Sequence, residues 1–321
     1  MSARLRAAVV GVGYLGRFHA QKYAAHPGVD LVAVVDIDGD QVRSVASALG
    51  VEGVTDFRGL VGRIDCASVV VPTQEHYAVA GDLLAAGVDV LVEKPLATTI
   101  DEGKALVELA ARSGRVLQVG HLERFNPAIR ALEGLIKQPR FIECNRLAPF
   151  SERGTDVDVV LDLMIHDLDV VLSMVQSPVR SVEAVGVPVL TPSVDIANAR
   201  IRFANGCTAN FTASRVSFKR ERKLRIFQPD AYFSVDYGER RVRICRREEE
   251  PGGAPSLSLE ERQVEEEDAL EVEIDSFLRA VRAQEPPPVT GWDGLRALEV
   301  AHVIRESVET EVRAAQAGGS R

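Results

Sequence analysis

The chain has 321 residues, enough for two domains, and its 46% hydrophobic and 26% charged residues are typical of a globular protein. A net charge of −9, from 38 basic and 47 acidic residues, argues against binding to a nucleic-acid backbone. The sequence contains neither an apolar run of roughly 18 residues nor a signal-peptide pattern, so we expect a cytoplasmic protein without membrane contact. Its four cysteines are widely spaced without a Cys-x-x-Cys pair, and we expect no metal site and no disulfide framework.

The first 120 residues alternate between short runs rich in Val and Ala and helical stretches. The apolar runs predict buried parallel strands at Leu5–Val10, Leu31–Asp36, Cys66–Val71, Val88–Glu93 and Val116–Gly120. The stretches between them predict helices at Leu15–Ala25, Gln41–Leu49, His76–Ala86 and Asp101–Arg112. This alternation implies right-handed crossovers, so the sequence predicts an N-terminal Rossmann domain, a doubly wound parallel sheet, over residues 1–122.

After Pro127 the pattern changes to longer strands with hairpin turns. A helix at Ala128–Ile136, a strand at Arg140–Leu147 and a helix at Val159–Met174 precede strands that continue to about Arg247, with Asn205-Gly206 as a strong hairpin signal. Two helices follow, at Ala269–Ala283 and Gly294–Thr310. The fold class is therefore α/β, with a C-terminal α/β domain over 123–290 that contains a large, open, mostly antiparallel sheet. We expect the helix 291–312 to pack back on the first domain and residues 313–321 to be disordered.

A glycine-rich turn, Gly11-Val12-Gly13-Tyr14-Leu15-Gly16, follows the first strand and opens the first helix. In this context Gly11 permits the tight turn, Gly13 lets the backbone approach a diphosphate, and Gly16 lets helix and strand pack closely. The diphosphate of a dinucleotide would lie at the helix N-terminus. Asp36 ends the second strand, where a carboxylate accepts hydrogen bonds from ribose hydroxyls and repels a 2′-phosphate, which favours NAD over NADP. The alternative, a glycine turn of an unrelated α/β fold, fits this spacing poorly.

A lysine follows the predicted strand Val88–Glu93 in Glu93-Lys94-Pro95. Ligands of open α/β sheets bind at the carboxyl ends of the strands, so we expect Lys94 to lie where the nicotinamide binds. A partly desolvated lysine beside a positive nicotinamide ring would have a lowered pKa, which suits proton transfer with an alcohol. The alternative is an ordinary surface charge.

Asp162 and His166 are four positions apart on a predicted helix, so both project from one face. Such a pair could bind a metal, act as acid and base, or cap the helix. Together with Lys94 and a dinucleotide site, the catalytic interpretation is favoured. Of the other histidines, His121 is a weak candidate for substrate contact. We interpret His19, His26 and His302 as structural or surface residues.

Five motifs in this order together resemble one family of oxidoreductases. They are the glycine turn, VVPTQEH at Val70–His76, EKP at Glu93–Pro95, DLMIHDLD at Asp162–Asp169 and GWDGLRALEVA at Gly291–Ala301. The family is the glucose–fructose oxidoreductase / inositol dehydrogenase family (Gfo/Idh/MocA). One position differs, because Met164 occupies a site where many members have glycine, and free-monosaccharide specificity is therefore not implied.

The resemblance implies a Rossmann domain followed by an α/β domain whose sheet often forms oligomer contacts, and hence a homodimer or homotetramer. It also implies that Lys94, Asp162 and His166 line the active site, where the lysine and the histidine handle the hydroxyl proton. The residues that it places near the cofactor are Pro72, Thr73, His76 and Glu93.

The stretch GHLERFNPA at Gly120–Ala128 looks like the branch of this family that acts on nucleotide sugars. We therefore predict oxidation of the 3-hydroxyl of a UDP-N-acetylhexosamine to a 3-keto sugar, with an aminotransferase as a pathway partner. Arg124, Arg146 and Arg153 either contact the diphosphate or pair with local acids, and Asn126 either orients a sugar hydroxyl or caps a helix. The alternatives are a dehydrogenase of a free sugar or inositol, and a non-catalytic NAD-binding regulator.

Overall fold

The structure is a computed structural model that describes residues 3–151, 157–248 and 256–318, without the side chains of 312–318. The chain forms two compact units. The first comprises 1–122 and 268–298, and the second comprises 123–267 and 299–321. Among the described residues, no helix combines the length and apolarity that a membrane span requires.

The first unit contains a six-stranded parallel sheet in the order β3-β2-β1-β4-β5-β6. Its strands contain consecutive apolar residues rather than alternating ones, because both faces of the sheet are covered. In β1, for example, Ala7–Val10 are all buried. The predicted Rossmann sheet is confirmed. The short strand β3 was not predicted, because none of its three residues is buried and it lacks the apolar pattern of the other strands. The elements are β1 (Leu5–Val10), α1 (Tyr14–Ala25), β2 (Val29–Val35), α2 (Gly39–Leu49), β3 (Glu52–Val54), β4 (Cys66–Val69), α3 (Thr73–Ala85), β5 (Asp89–Glu93), α4 (Ile100–Ser113) and β6 (Leu117–Gly120).

The second unit contains an eight-stranded sheet in the order β14-β13-β12-β11-β7-β10-β9-β8. The pair β7–β10 is parallel and the other pairs are antiparallel, so the predicted open, mostly antiparallel sheet is confirmed. Asn205-Gly206 turns the chain between β9 and β10, with Gly206 at φ +85°. The elements are α5 (Pro127–Arg130), β7 (Phe141–Leu147), α6 (Ile165–Met174), β8 (Val179–Val187), β9 (Ile196–Phe203), β10 (Thr208–Ser214), β11 (Glu221–Gln228), β12 (Ala231–Asp236), β13 (Arg241–Glu248) and β14 (Ser256–Gln263).

Two helices of the second unit differ from the sequence expectation. The helix expected at 128–136 is only the short α5, and Gly134 beyond it adopts the left-handed φ of +72°. The helix expected at 159–174 begins with a π-helical turn, Val160–Met164, before α6. The Asp158 carboxylate caps this turn, accepting from the backbone N–H groups of Val160 and Leu161.

The helices α7 (Ala269–Ala283) and α8 (Gly291–Gly318) correct the expected domain boundary. The sequence assigned 268–290 to the second domain, but the apolar face of α7, including Ile274 and Phe277, lies in the core of the first unit. The first turns of α8 pack on β6 in the first unit, since Cβ atoms at Gly291 and Gly294 would meet Leu117 and Val119. The helix extends to Gly318, so residues 313–318 are helical rather than disordered, which their alanine-rich sequence favours.

Candidate active site

In the glycine-rich turn between β1 and α1, the first and third glycines leave no room for a side chain, whereas the second faces open space. Gly11 has φ +87°, and a Cβ there would lie 2.4 Å from the carbonyl oxygen of Val70. A Cβ at Gly16 would lie 1.8 Å from the carbonyl oxygen of Gly11, so helix and turn touch through backbone alone. A Cβ at Gly13 would meet nothing within 4 Å among the described residues, which leaves this backbone open to a ligand.

The N-terminus of α1 suits a diphosphate. Gly13 is its N-cap, and among the described side chains none caps this end. The backbone N–H groups of the first turn, beginning at Tyr14, therefore lie at the positive end of the helix dipole. The Tyr14 ring is 60% exposed and packs edge-on against Phe18, with 5.5 Å between ring centroids.

Asp36 follows β2 and lies beside the glycine turn. One carboxylate oxygen accepts from the Val12 N–H at 2.9 Å, and the other accepts from the Asp38 N–H at 3.1 Å. Gln41 donates to the carbonyl oxygen of Val12 at 2.7 Å. The glycine turn is therefore fixed relative to the Asp36 carboxylate.

A cavity of about 1060 Å³ opens at this edge of the sheet, and Gly11, Gly13, Asp36 and Pro72 are among its lining residues. The cavity is also lined by four residues that the sequence did not single out, Ile37, Thr55, Phe57 and Arg58. Ile37 could have been recognised, because it directly follows Asp36 in the sequence. Its apolar side chain is 95% exposed and offers nothing to a 2′-phosphate. The other three follow β3, which itself carried no sequence signal. The shape and chemistry of this region fit a dinucleotide.

His76 holds two loops together. Its ring is buried on α3, with Nδ1 2.8 Å from the carbonyl oxygen of Pro95 and Nε2 3.0 Å from that of Val71. Burial lowers the pKa of His76, although both carbonyl contacts oppose this effect. The residue therefore ties the carboxyl end of β4 to the Lys94-Pro95 segment, where the peptide bond is cis. Thr73 begins the same helix.

Glu93 ends β5 and Lys94 follows it directly, and both residues are partly buried. The Lys94 backbone N–H donates to one Glu93 oxygen at 3.3 Å, and His19 Nε2 lies 3.2 Å from the other. Burial disfavours the charged form of Glu93, but the contacts with His19 and Lys94 outweigh it and hold the pKa of the carboxyl below its usual range. His19, interpreted as structural or surface from the sequence, is fully buried and contacts Glu93, the residue that precedes the candidate acid/base lysine.

In the second unit, Asp162 lies in the π-helical turn and His166 lies on α6, and both are half-buried. Asp162 is 4.0 Å from the guanidinium of Arg215, which also donates to the carbonyl oxygen of Val157. The aspartate thus departs from the regular α-helix that the sequence predicted. Single π-helical turns often occur at functional sites, which agrees with the candidate role of this pair. Met164 is buried in the same turn.

The predicted substrate-contacting arginines lie among acids. Arg146 forms a bidentate pair with Asp167 at 2.8 and 2.9 Å and a further bond to Glu123 at 2.8 Å, and its side chain is 4% exposed. Arg124 is 3.8 Å from Asp169. For Arg146 this geometry supports the alternative that the arginine pairs with local acids.

Asn126 caps α5, because its side-chain oxygen accepts from the Ala128 N–H at 3.0 Å, and its amide donates to Glu123. This is the capping role that the sequence left open. Arg153 lies outside the described residues. His121 is buried.

All four cysteines are free thiols. Among the described residues, no group of three or more His, Cys, Asp or Glu side chains is arranged to bind a metal ion.

Family models match both parts of the chain. Residues 5–121 match the oxidoreductase family with an NAD-binding Rossmann fold, and residues 128–233 match the C-terminal domain of the same Gfo/Idh/MocA group. The chain belongs to the Gfo/Idh/MocA oxidoreductase family. Its first unit is an NAD-binding Rossmann domain.

Individual members of the Gfo/Idh/MocA family differ in how closely they match. The chain is 40% identical to UDP-N-acetylglucosamine 3-dehydrogenase of Acidithiobacillus ferrooxidans over 95% of its own length and 97% of that protein. A crystal structure of the enzyme of that name from the same organism aligns with a TM-score of 0.90 at 39% identity, covering 96% of this chain and 99% of that one. The scyllo-inositol 2-dehydrogenase (NAD(+)) of Bacillus subtilis is 27% identical over 99% of this chain and all of that protein.

Replacing Asp36 with Ser should change the preference between cofactors. We expect NAD to bind about tenfold more weakly, because a charge-assisted hydrogen bond to the ribose is lost, and NADP to bind more tightly, because a repelling charge is removed. Isothermal titration calorimetry with both dinucleotides measures this. Asp40→Ser removes an exposed carboxylate from the same segment and should leave both affinities unchanged. An unaltered ratio in Asp36→Ser would show that Asp36 does not select the cofactor.

Replacing Arg146 with Leu should destabilise the fold, because Asp167 would be left buried without its cation. We expect a loss of about 3–5 kcal/mol in the free energy of unfolding, measured in urea. Arg225→Leu is the matched control, since it removes a pair with Glu143 in which the arginine is 43% exposed, and should cost about 1 kcal/mol or less. A stable Arg146→Leu protein with only a raised KM for a UDP-sugar would instead support diphosphate binding by this arginine.

Proposed function

We propose that this protein is an NAD-dependent dehydrogenase that oxidises the 3-hydroxyl of a UDP-N-acetylhexosamine, such as UDP-N-acetylglucosamine, to a 3-keto sugar. One observation carries the proposal: 40% identity, over nearly the full length of both chains, to an enzyme named for this reaction. The match includes both units, so it extends beyond the cofactor domain that all members of the family share.

Oxidation of a secondary alcohol removes one hydride from carbon and one proton from oxygen. NAD, when bound at the glycine turn, supplies the hydride acceptor. Lys94 takes the hydroxyl proton, and His166 shares this acid/base duty. To Asp162 we assign the orientation or tuning of these two residues. Retention of this set disfavours the non-catalytic regulator, which would have no use for an acid/base pair.

The contacts with the diphosphate are part of the proposal. Arg124 and Arg153 are the arginines that we assign to it, whereas Arg146 serves the buried ion pair with Asp167. Bidentate guanidinium donors suit a diphosphate on a protein whose net charge of −9 would otherwise repel it. A 3-keto sugar is also a suitable substrate for transamination, so an aminotransferase is the enzyme that we expect to consume the product.

The second sheet supports assembly into a homo-oligomer. Paired positions place Phe141, Phe227, Tyr232, Cys245 and Leu259 in one row across five strands of the same face. The Phe227 and Tyr232 rings stack at 4.7 Å, and Leu259 is 70% exposed at the end of the row. An apolar row of this kind favours burial against a second copy of the chain.

A free inositol is the second candidate substrate. The resemblance to the Bacillus scyllo-inositol 2-dehydrogenase, 27% identical over almost the whole chain, is the observation that favours it. It is a weaker argument than the 40% match, and Met164 stands where many family members have glycine.

The deciding experiment supplies purified protein and NAD with UDP-N-acetylglucosamine, other UDP-sugars, free sugars and inositols. Formation of reduced nicotinamide is followed at 340 nm, and an aminotransferase with an amino donor is added to draw off the ketone. We expect turnover with a UDP-N-acetylhexosamine. Turnover with inositols alone would overturn the nucleotide-sugar proposal, and binding of NAD without turnover of any substrate would support the regulator.

Replacing Lys94 with Ala should lower kcat by about 10²–10⁴-fold, because the hydroxyl proton then lacks its acceptor. The affinity for NAD should stay nearly constant, as calorimetry would show. Lys104→Ala removes the same charge from the exposed side of α4 and is the control for a nonspecific effect. An equal loss of NAD binding in Lys94→Ala would make the lysine a cofactor-binding residue rather than a proton acceptor.

A further inference from the structure

A line of hydrogen-bonded side chains reaches Glu93 from the interior of the first unit. The Tyr23 hydroxyl is 2.9 Å from Ser68 Oγ, Ser68 Oγ is 3.1 Å from His19 Nδ1, and His19 Nε2 is 3.2 Å from Glu93 Oε1. Tyr23, Ser68 and His19 have no exposed surface. The line ends at the residue that directly precedes Lys94.

The donors along this line are determined by its two ends. An ionised carboxylate only accepts, so His19 Nε2 carries a hydrogen toward Glu93. In a neutral imidazole Nδ1 is then an acceptor, which Ser68 satisfies by donating its hydroxyl hydrogen. Ser68 in turn accepts from Tyr23, a phenol that stays protonated because burial raises its pKa far above the usual range. Every polar atom along the line is satisfied when His19 is neutral.

A charged His19 would disturb this arrangement. Both ring nitrogens would donate, and Ser68 would have to donate to Tyr23. The phenol hydrogen would then have to turn away from Ser68, so the direction of the 2.9 Å contact between Tyr23 and Ser68 would reverse. The line therefore favours the neutral Nε2–H tautomer of His19, and this tautomer orients the Glu93 carboxylate.

We propose that His19 is a positioning residue for the acid/base lysine. By engaging one oxygen of Glu93, the Tyr23–Ser68–His19 line shares the carboxylate charge and keeps it from holding Lys94 as a fixed ammonium ion. The inference rests on the proposed function only in assigning proton transfer to Lys94. The groups that face Glu93 are His19 from α1, His76 from α3 and Lys94 from its own strand end.

Loss of the His19 donor has a definite electrostatic consequence. The partly buried carboxylate would keep Lys94 as its nearest strong partner, and a closer ion pair favours the charged form of the lysine. The acid limb of the pH profile for alcohol oxidation, which reports deprotonation of Lys94, should therefore move to higher pH. A residue needed only for packing would lower stability without moving this limb.

The test compares His19→Leu, His19→Gln and Ser68→Ala with the unaltered protein. We expect His19→Leu to move the acid limb of kcat up by about one pH unit and to reduce kcat at pH 7 about tenfold. Glutamine places an amide N–H near the position of Nε2 and should restore most of both values. Ser68→Ala should shift the limb in the same direction by less. His26→Gln, on a ring that contacts Gly28 and Asp275 instead, is the control and should match the unaltered protein.

A second readout separates this proposal from the proposed function. The pKa of Lys94 is titrated directly by NMR of the ¹³C-labelled lysine ε-carbons, with Lys94→Ala to assign its signal, so that no substrate is needed. A raised Lys94 pKa in His19→Leu supports the positioning role even if UDP-sugars are not turned over. An unchanged Lys94 pKa, with reduced thermal stability alone, would overturn it.

Discussion

Parallel pairing of β4 with β1 on one side and β5 on the other brings three strand ends to one edge of a buried sheet. The Val70 carbonyl at this edge closes the turn at Gly11, and the next residue, Val71, accepts the contact from His76. The same ring reaches Pro95 and so fixes the segment that carries Lys94. The glycine turn and Lys94 are thus positioned by a single register of backbone hydrogen bonds.

One buried charge in each unit shows the partners that burial requires. In the first unit, Glu93 contacts His19 and interacts electrostatically with Lys94. In the second unit, Arg146 donates to Asp167 and Glu123. The two networks have different effects. In the Arg146 network the arginine donates only to buried or partly buried acids, and these pairs stabilise the second unit. The Glu93 network instead ends beside Lys94, whose protonation changes during the proposed reaction.

Local pattern was sufficient for most of the first unit. Consecutive apolar residues predict buried parallel strands, and the strands from β1 to β6 were found within two residues at each end, apart from β3. The second unit was harder to predict from the sequence. A π-helical turn at Val160–Met164 and the left-handed Gly134 depend on packing that no periodicity shows, and α7 joins the first unit through contacts with residues about 250 positions away, such as Lys22 with Glu271.

The glycine turn, Asp36 and Lys94 could be proposed as site residues from the sequence because each follows a strand directly. Such a feature is visible in neighbouring residues of the sequence. The contacts of His19 and Arg146 were decided by the tertiary structure. His19 meets Glu93 across 74 positions, and Arg146 meets Asp167 across 21. A histidine on a helix or an arginine on a strand has the same sequence signature whether it faces solvent, substrate or a buried carboxylate. Only the fold supplies the partner, and the partner determines the charge state and the role.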